Sequence, residues 1–210
     1  MRLDQYTADV ICRSMGLGAF EPIGQPAIRI LLLPSFHPEV CITLSEADAP
    51  ARGRLSVVAL TQMCWRQEVP RRLPDVREEV SLPAAWIGEV TAAFEAARTS
   101  RVEQERRVCV DGMGVECCRL AADGVERFAD HVYRPAVAAF IGRLVWEARV
   151  ACRVPGVRNA LADCGWYLGA SYPHESDPHQ SPARRVLVLG TPDDRADYLE
   201  LLKSRGWGSA

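Results

Sequence analysis

Lysine is almost missing from this 210-residue chain: Lys203 is the only one, and arginine supplies the other cationic side chains. With abundant Ala, Val and Leu, that bias matches coding from GC-rich DNA and points to a bacterial source. It also weakens any reading of individual arginines as chosen phosphate contacts. Neither charge sign dominates, and a formal charge of -2 with a pI near 6.1 leaves no global positive field to hold nucleic acid or an anionic membrane. No run reaches the roughly 20 apolar residues that span a bilayer. Asp4 and Asp9 stand where a secretory leader would be basic. The expected setting is therefore cytoplasmic, with no membrane partner. Also missing are the glycine-rich and Walker phosphate loops, a nucleophile elbow around any serine, and zinc-ligand spacing. Eight cysteines are scattered at positions 12, 41, 64, 109, 117, 118, 152 and 164, and are expected to be reduced and to pack as small hydrophobes.

What is present is ordinary globular composition, 48% hydrophobic and 25% charged. The expected architecture is a single α+β domain over 1–210, an antiparallel sheet with helices mainly on one face. Its substructure would be an N-terminal meander and helix over 1–100, with hairpins and C-terminal helices over 101–210. After a short helix over Thr7 to Met15, the stretches Ile28 to Leu33, Val40 to Leu44 and Leu55 to Trp65 read as meandering strands. Arg29 is the only charge in the first, which predicts a central strand covered on both faces. A fourth strand through Glu78, Val80 and Leu82 leads into a helix that Ser81 could cap. Val108 to Val132 reads as three short strands joined by Asp111-Gly112 and Asp123-Gly124 turns. The first turn would pair Val110 with Val115 and Val108 with Cys117. The second would pair Cys117 with Phe128 and Arg119 with Glu126. An apolar stripe from Val137 to Cys152 predicts a long helix, and Pro155 begins another through Leu168. A strand at Arg185 to Leu189 and a helix from Asp193 would add a C-terminal unit to the sheet edge.

Candidate sites are few. Ser35 and His37, two residues apart in Pro34-Ser35-Phe36-His37-Pro38, could pair a nucleophile with a base. A rigid loop holding a buried Phe36 and a locally bonded His37 explains the same residues. Cys109, Cys118 and His131, with Cys117, are the best metal constellation, although adjacent cysteines in a strand point to opposite faces. Core packing for Cys117 and a partly covered thiol for Cys118 is the simpler account. His174 and His179 with Glu175 and Asp177 could ligate a metal, but suit a solvated loop as well. At Gly190-Thr191-Pro192-Asp193-Asp194, proline removes a donor and the acids occupy a phosphate's place. Asp111 suits a turn, and Glu116 and Asp130 suit outward strand positions. Arg98, Arg101, Arg106 and Arg107 form a basic stretch diluted by Glu103 and Glu105. Trp207, near the chain end, is an interface candidate.

The apolar strand ending in PSFHP, the following CITL, and DGMGVECCRLAADGVERF before a proline-started helix resemble a pattern found in small bacterial α+β proteins. About half the chain is covered. The resemblance implies the fold and brings no established activity; the genomic company of such proteins, near secreted toxins or defence genes, implies a binding role. The leading expectation is a non-catalytic protein-binding module, immunity-type or an assembly accessory, with another protein as partner, no cofactor, and self-association left open. The alternative is a small hydrolase or metal-assisted enzyme using Ser35 and His37 or the Cys/His cluster. Nucleic-acid binding ranks last.

Overall fold

A strand with one charge among apolar residues must be covered on both sides, and this is how Ala27–Pro34 is used. In the computed structural model, which describes residues 7–21, 27–46, 52–67, 71–100, 108–109, 112–121, 124–169 and 188–189, that segment is β1. The other elements are α1 (Ala8–Ser14), β2 (Val40–Glu46), β3 (Arg52–Leu60), β4 (Asp75–Pro83), α2 (Ala84–Thr99), β5 (Val108–Cys109), β6 (Met113–Ala121), β7 (Gly124–His131), α3 (Pro135–Ala151), α4 (Pro155–Trp166) and β8 (Val188–Leu189). Six strands form one sheet in the order β4-β3-β2-β1-β6-β7, with antiparallel neighbours throughout. The fold is α+β, as expected, and the first four strands form the expected meander. No described helix is long and apolar enough to cross a membrane.

Strand alternation divides the buried side chains between two cores. On one face Ile28, Ile30 and Leu32 of β1, Ile42 and Leu44 of β2, and Val115 and Cys117 of β6 meet α2, α3 and α4, through Phe94, Phe140, Leu144, Val157 and Leu161 among others. Phe94 lies 5.2 Å from Phe128 and edge-on to Phe140 at 6.3 Å, centroid to centroid. On the other face Leu31, Cys41, Val58 and Cys118 meet Ile11 and Cys12 of α1, together with Met15, Phe20, Cys64 and Leu73. Each fully buried Leu, Ile or Phe contributes about 1.5–3 kcal/mol, so the three-helix face supplies the larger share.

The helix ends explain how these layers are held. The Thr7 hydroxyl accepts the Val10 N–H, and Gly16, at φ +70°, reverses the chain after α1. The Leu17 and Gly16 amides then bond back to the Cys12 and Arg13 carbonyls in a Schellman arrangement. Arg72 and Arg77 donate to the Ser14 and Met15 carbonyls, placing two cations at the negative end of α1. At α4 the Glu78 carboxylate of β4 accepts the Arg153 and Val154 amides at 2.8–2.9 Å, capping a helix whose own N-cap residue, Val154, cannot do so.

Several sequence expectations need correction. The β6–β7 register is as read, Cys117 opposite Phe128 and Arg119 opposite Glu126. The first turn does not make a hairpin: β5 pairs with β8 in a separate two-stranded ladder, because β1 occupies the other side of β6. The described part of the C-terminal strand, Val188–Leu189, pairs with β5 and so does not extend the six-stranded sheet. β3 ends at Leu60, and Cys64–Arg66 is a short 3-10 turn. Ser81 lies within β4 opposite Arg54, so Pro83 rather than a serine side chain precedes α2. The helix expected from Asp193 lies outside the described residues.

Candidate functional site

β1 and β2 are joined by Ser35–Glu39, and every described polar contact of this loop runs to a distant part of the chain. The Ser35 hydroxyl donates to the Gly112 carbonyl at 2.8 Å and accepts the Gly112 N–H at 3.1 Å, while the Ser35 amide also donates to that carbonyl at 2.9 Å. The Phe36 N–H donates to the Tyr167 hydroxyl oxygen at 3.0 Å. The same hydroxyl lies 2.8 Å from His37 Nδ1. Nε2 faces Asp163 Oδ1 at 3.9 Å, beyond direct hydrogen-bond reach. The His37 ring also meets the edges of Trp166 and Tyr167 at 6.2 and 5.6 Å.

Glu39 completes the anchorage. It is wholly buried, accepts the Cys64 N–H at 2.8 Å through its carboxylate, and takes the Leu60 N–H on its backbone carbonyl. Burial raises the Cys64 thiol to about 11, with the Glu39 charge adding to the effect.

Beside the loop lies a cleft of about 210 Å³ lined by Pro38, Leu60, Thr61, Val76, Gly156, Asn159, Ala160 and Asp163. Apolar walls come from the loop, the facing ends of β3 and β4, and α4; the polar groups are Thr61, Asn159 and Asp163. Burial pushes the Asp163 carboxyl above the usual carboxylate range, opposed in part by attraction to His37. Phe36, in the same loop, is 43% exposed.

The sequence candidates separate in space. Ser35 and His37 share a loop, but serine is bonded to Gly112 and histidine to Tyr167, so the two do not form a nucleophile–base pair. His37 is bonded as expected, yet to a residue 130 positions away rather than locally. Phe36, expected to be buried, is exposed. Cys117 and Cys118 fall on opposite faces, in the three-helix core and the α1 core respectively. Cys118 is fully covered rather than partly so, because α1 and Phe20 close over that face.

His131, at the end of β7, stands opposite Gly114, four residues along β6 from Cys118 and so roughly 13 Å away. It stacks on Tyr133, and burial lowers its pKa. Among the described residues no group of three or more His, Cys, Asp or Glu is placed to hold a metal ion. The side chain of Cys109 lies outside the described residues, as do Asp111, Arg101, Arg106, Arg107, His174, His179, the 190–194 junction and Trp207. Asp130 bonds the His131 amide and Arg134, which ties β7 to the end of α2 at Ser100. Glu116 is half-buried, and burial raises its carboxyl. Arg98 is paired with Glu95 and Glu126.

Asp163 and Tyr167 are the residues that sequence reasoning missed. A tyrosine in line with Ala160 and Cys164 on the apolar stripe of α4 carries a hydroxyl that must find a partner when buried. That was the available signal. Comparison with protein-family models, with curated proteins and with solved structures finds no match to this chain.

Proposed function

We propose that this chain is a non-catalytic protein-binding module, of the immunity or assembly-accessory kind, which meets another protein through the Ser35–Pro38 loop and the adjoining end of α4. The observation that carries this reading is Phe36. A large apolar ring is presented to solvent on a backbone pinned by Gly112 and Tyr167, so little conformational entropy remains to be lost on binding. Aromatic anchors are among the usual centres of binding energy, and the cleft lined by Pro38 of the same loop offers a pocket to a partner's side chain. The setting that goes with it is the bacterial cytoplasm, where buried thiols stay reduced.

Affinity isolation from the chain's own host, with wild type and Phe36→Ser in parallel, tests this. The expected result is a protein at fixed stoichiometry with the wild type and its loss with F36S. Isolation of a bare chain, or equal recovery with F36S, contradicts the reading.

A second reading, a small hydrolase, draws on the Tyr167–His37–Asp163 line at the cleft rim, where a histidine base would be oriented by its hydroxyl and carboxylate neighbours. Turnover of simple ester or amide substrates that is lost in His37→Gln would favour it over the binding reading.

A further inference from the structure

We propose that the cleft lined by Pro38 is a receptor for one arginine side chain of the partner protein, with Asp163 as the carboxylate that receives its guanidinium. The inference rests on the protein-binding reading above and specifies what the partner brings. Size is the first constraint. At about 210 Å³ the cleft falls below the roughly 300 Å³ at which sites for drug-sized ligands begin, so it suits a single side chain. Pro38, Leu60, Val76 and Ala160 give it apolar walls, along which the methylenes of a long side chain can lie while the charged head meets polar groups.

The polar lining selects charge. Asp163 and Asn159 stand one turn apart on the same face of α4, and Thr61 joins them from the end of β3. The Thr61 hydroxyl spends its proton on the Pro74 carbonyl at 3.2 Å, which leaves it lone pairs alone to offer. A carboxylate is likewise acceptor-only, and the Asn159 side-chain carbonyl can add a further acceptor. Such a set matches a ligand with several donors and no acceptor, and the planar fork of a guanidinium reaches separated acceptors better than the point charge of an ammonium. Asp163 is also available. Asp75, Glu79, Glu89, Glu95 and Asp130 are each paired with an arginine of this chain. Among the described residues Asp163 has no arginine partner, and His37 Nε2 stands off at 3.9 Å. Burial raises its carboxyl, so its ionised form gains from a cation that arrives with the partner. The positive end of α4 does not oppose this, because Glu78 already caps it.

The test titrates the isotope-labelled full-length chain with acetyl-Gly-Arg-Gly-amide and follows its amide chemical shifts by NMR. The same peptide with lysine, or with citrulline as the uncharged isostere of arginine, serves as comparison. The expected result is saturable shifts at Leu60, Thr61 and 159–163, with a dissociation constant on the order of millimolar, as suits one side chain without the rest of an interface. The lysine peptide should bind about threefold more weakly, and the citrulline peptide should not saturate. Asp163→Asn should weaken the arginine peptide roughly fivefold, the scale of a partly exposed ion pair. Asp163 is itself half exposed, so the variant should fold, and the arginine–citrulline comparison on wild type decides even where it does not. Silence at the cleft, equal binding of the lysine or citrulline peptide, or binding unchanged by D163N would overturn the proposal. The two readings fail separately. A silent cleft with a partner that F36S loses removes the arginine site and leaves the binding module. A cleft that takes the arginine peptide, with a partner recovered equally by F36S, supports the arginine site and contradicts the Phe36 anchor.

Discussion

Asp75 shows how one carboxylate can organise a corner of this protein. It is bonded by Arg77 at 2.8–2.9 Å and paired with Arg72, and the same two guanidiniums close the end of α1. Hydrogen bonding from Arg77 leads in holding its carboxyl below the ordinary value, and Arg72 contributes to the same effect. Asp75→Asn should lower stability by about 1 kcal/mol at pH 7, the low end for a charged hydrogen bond because both arginines are half exposed. A carboxyl with a depressed folded pKa stabilises above its unfolded value, near ~3.9, and loses that contribution as pH falls through the folded value. The gap between wild-type and D75N melts should therefore shrink below about pH 4; a constant gap would mean the charge is not the cause. Ser35→Ala should cost about 1–2 kcal/mol by leaving Gly112 short of a partner, a loss visible in urea unfolding. At this scale little was legible in the chain. Spacing cannot show that the Phe36 amide and the His37 ring meet at Tyr167, and Glu39 reads as a loop carboxylate until its burial is seen.

Elements were more legible, for a reason that follows from periodicity. Apolar stripes on α3 and α4, and the branched residues of β1 to β4, repeat at intervals that depend only on local geometry. The β6–β7 pairing was readable to the residue because a tight turn and an opposite-charge pair fix the same register; Arg119 and Glu126 are 3.2 Å apart. What failed was the partner of β5 and the start of α2, both decided by which neighbour competes for a strand edge. Helix termini also rest on remote groups. Glu78→Ala should destabilise the fold by about 1–2 kcal/mol by uncapping α4, measured by thermal melting, and should quicken amide exchange at Arg153 and Val154. Unchanged exchange there would contradict the capping role. Gly16→Ala should cost about 1–2 kcal/mol, since a side chain at φ +70° is strained and its Cβ would lie 2.8 Å from the Arg72 guanidinium. A melt equal to wild type would show that the turn after α1 relaxes freely.

For the whole molecule, two unequal cores share one sheet, and the loop that crosses its end is fixed by three separate parts of the chain: Gly112 before β6, Tyr167 after α4, and Cys64 after β3. Rigidity there coincides with an exposed aromatic ring and a small cleft, and the proposed binding role rests on that coincidence. Phe36→Ser should leave the melting temperature within about 2 °C of wild type, because surface substitutions cost under ~0.5 kcal/mol, while removing partner binding. A large drop in melting temperature would assign Phe36 to folding instead. The most direct measurement is hydrogen exchange on the isolated complex against the free chain. The account predicts new protection concentrated at 35–37 and along 159–167, with β7 unchanged; protection centred on β7, and none at the loop, would contradict it.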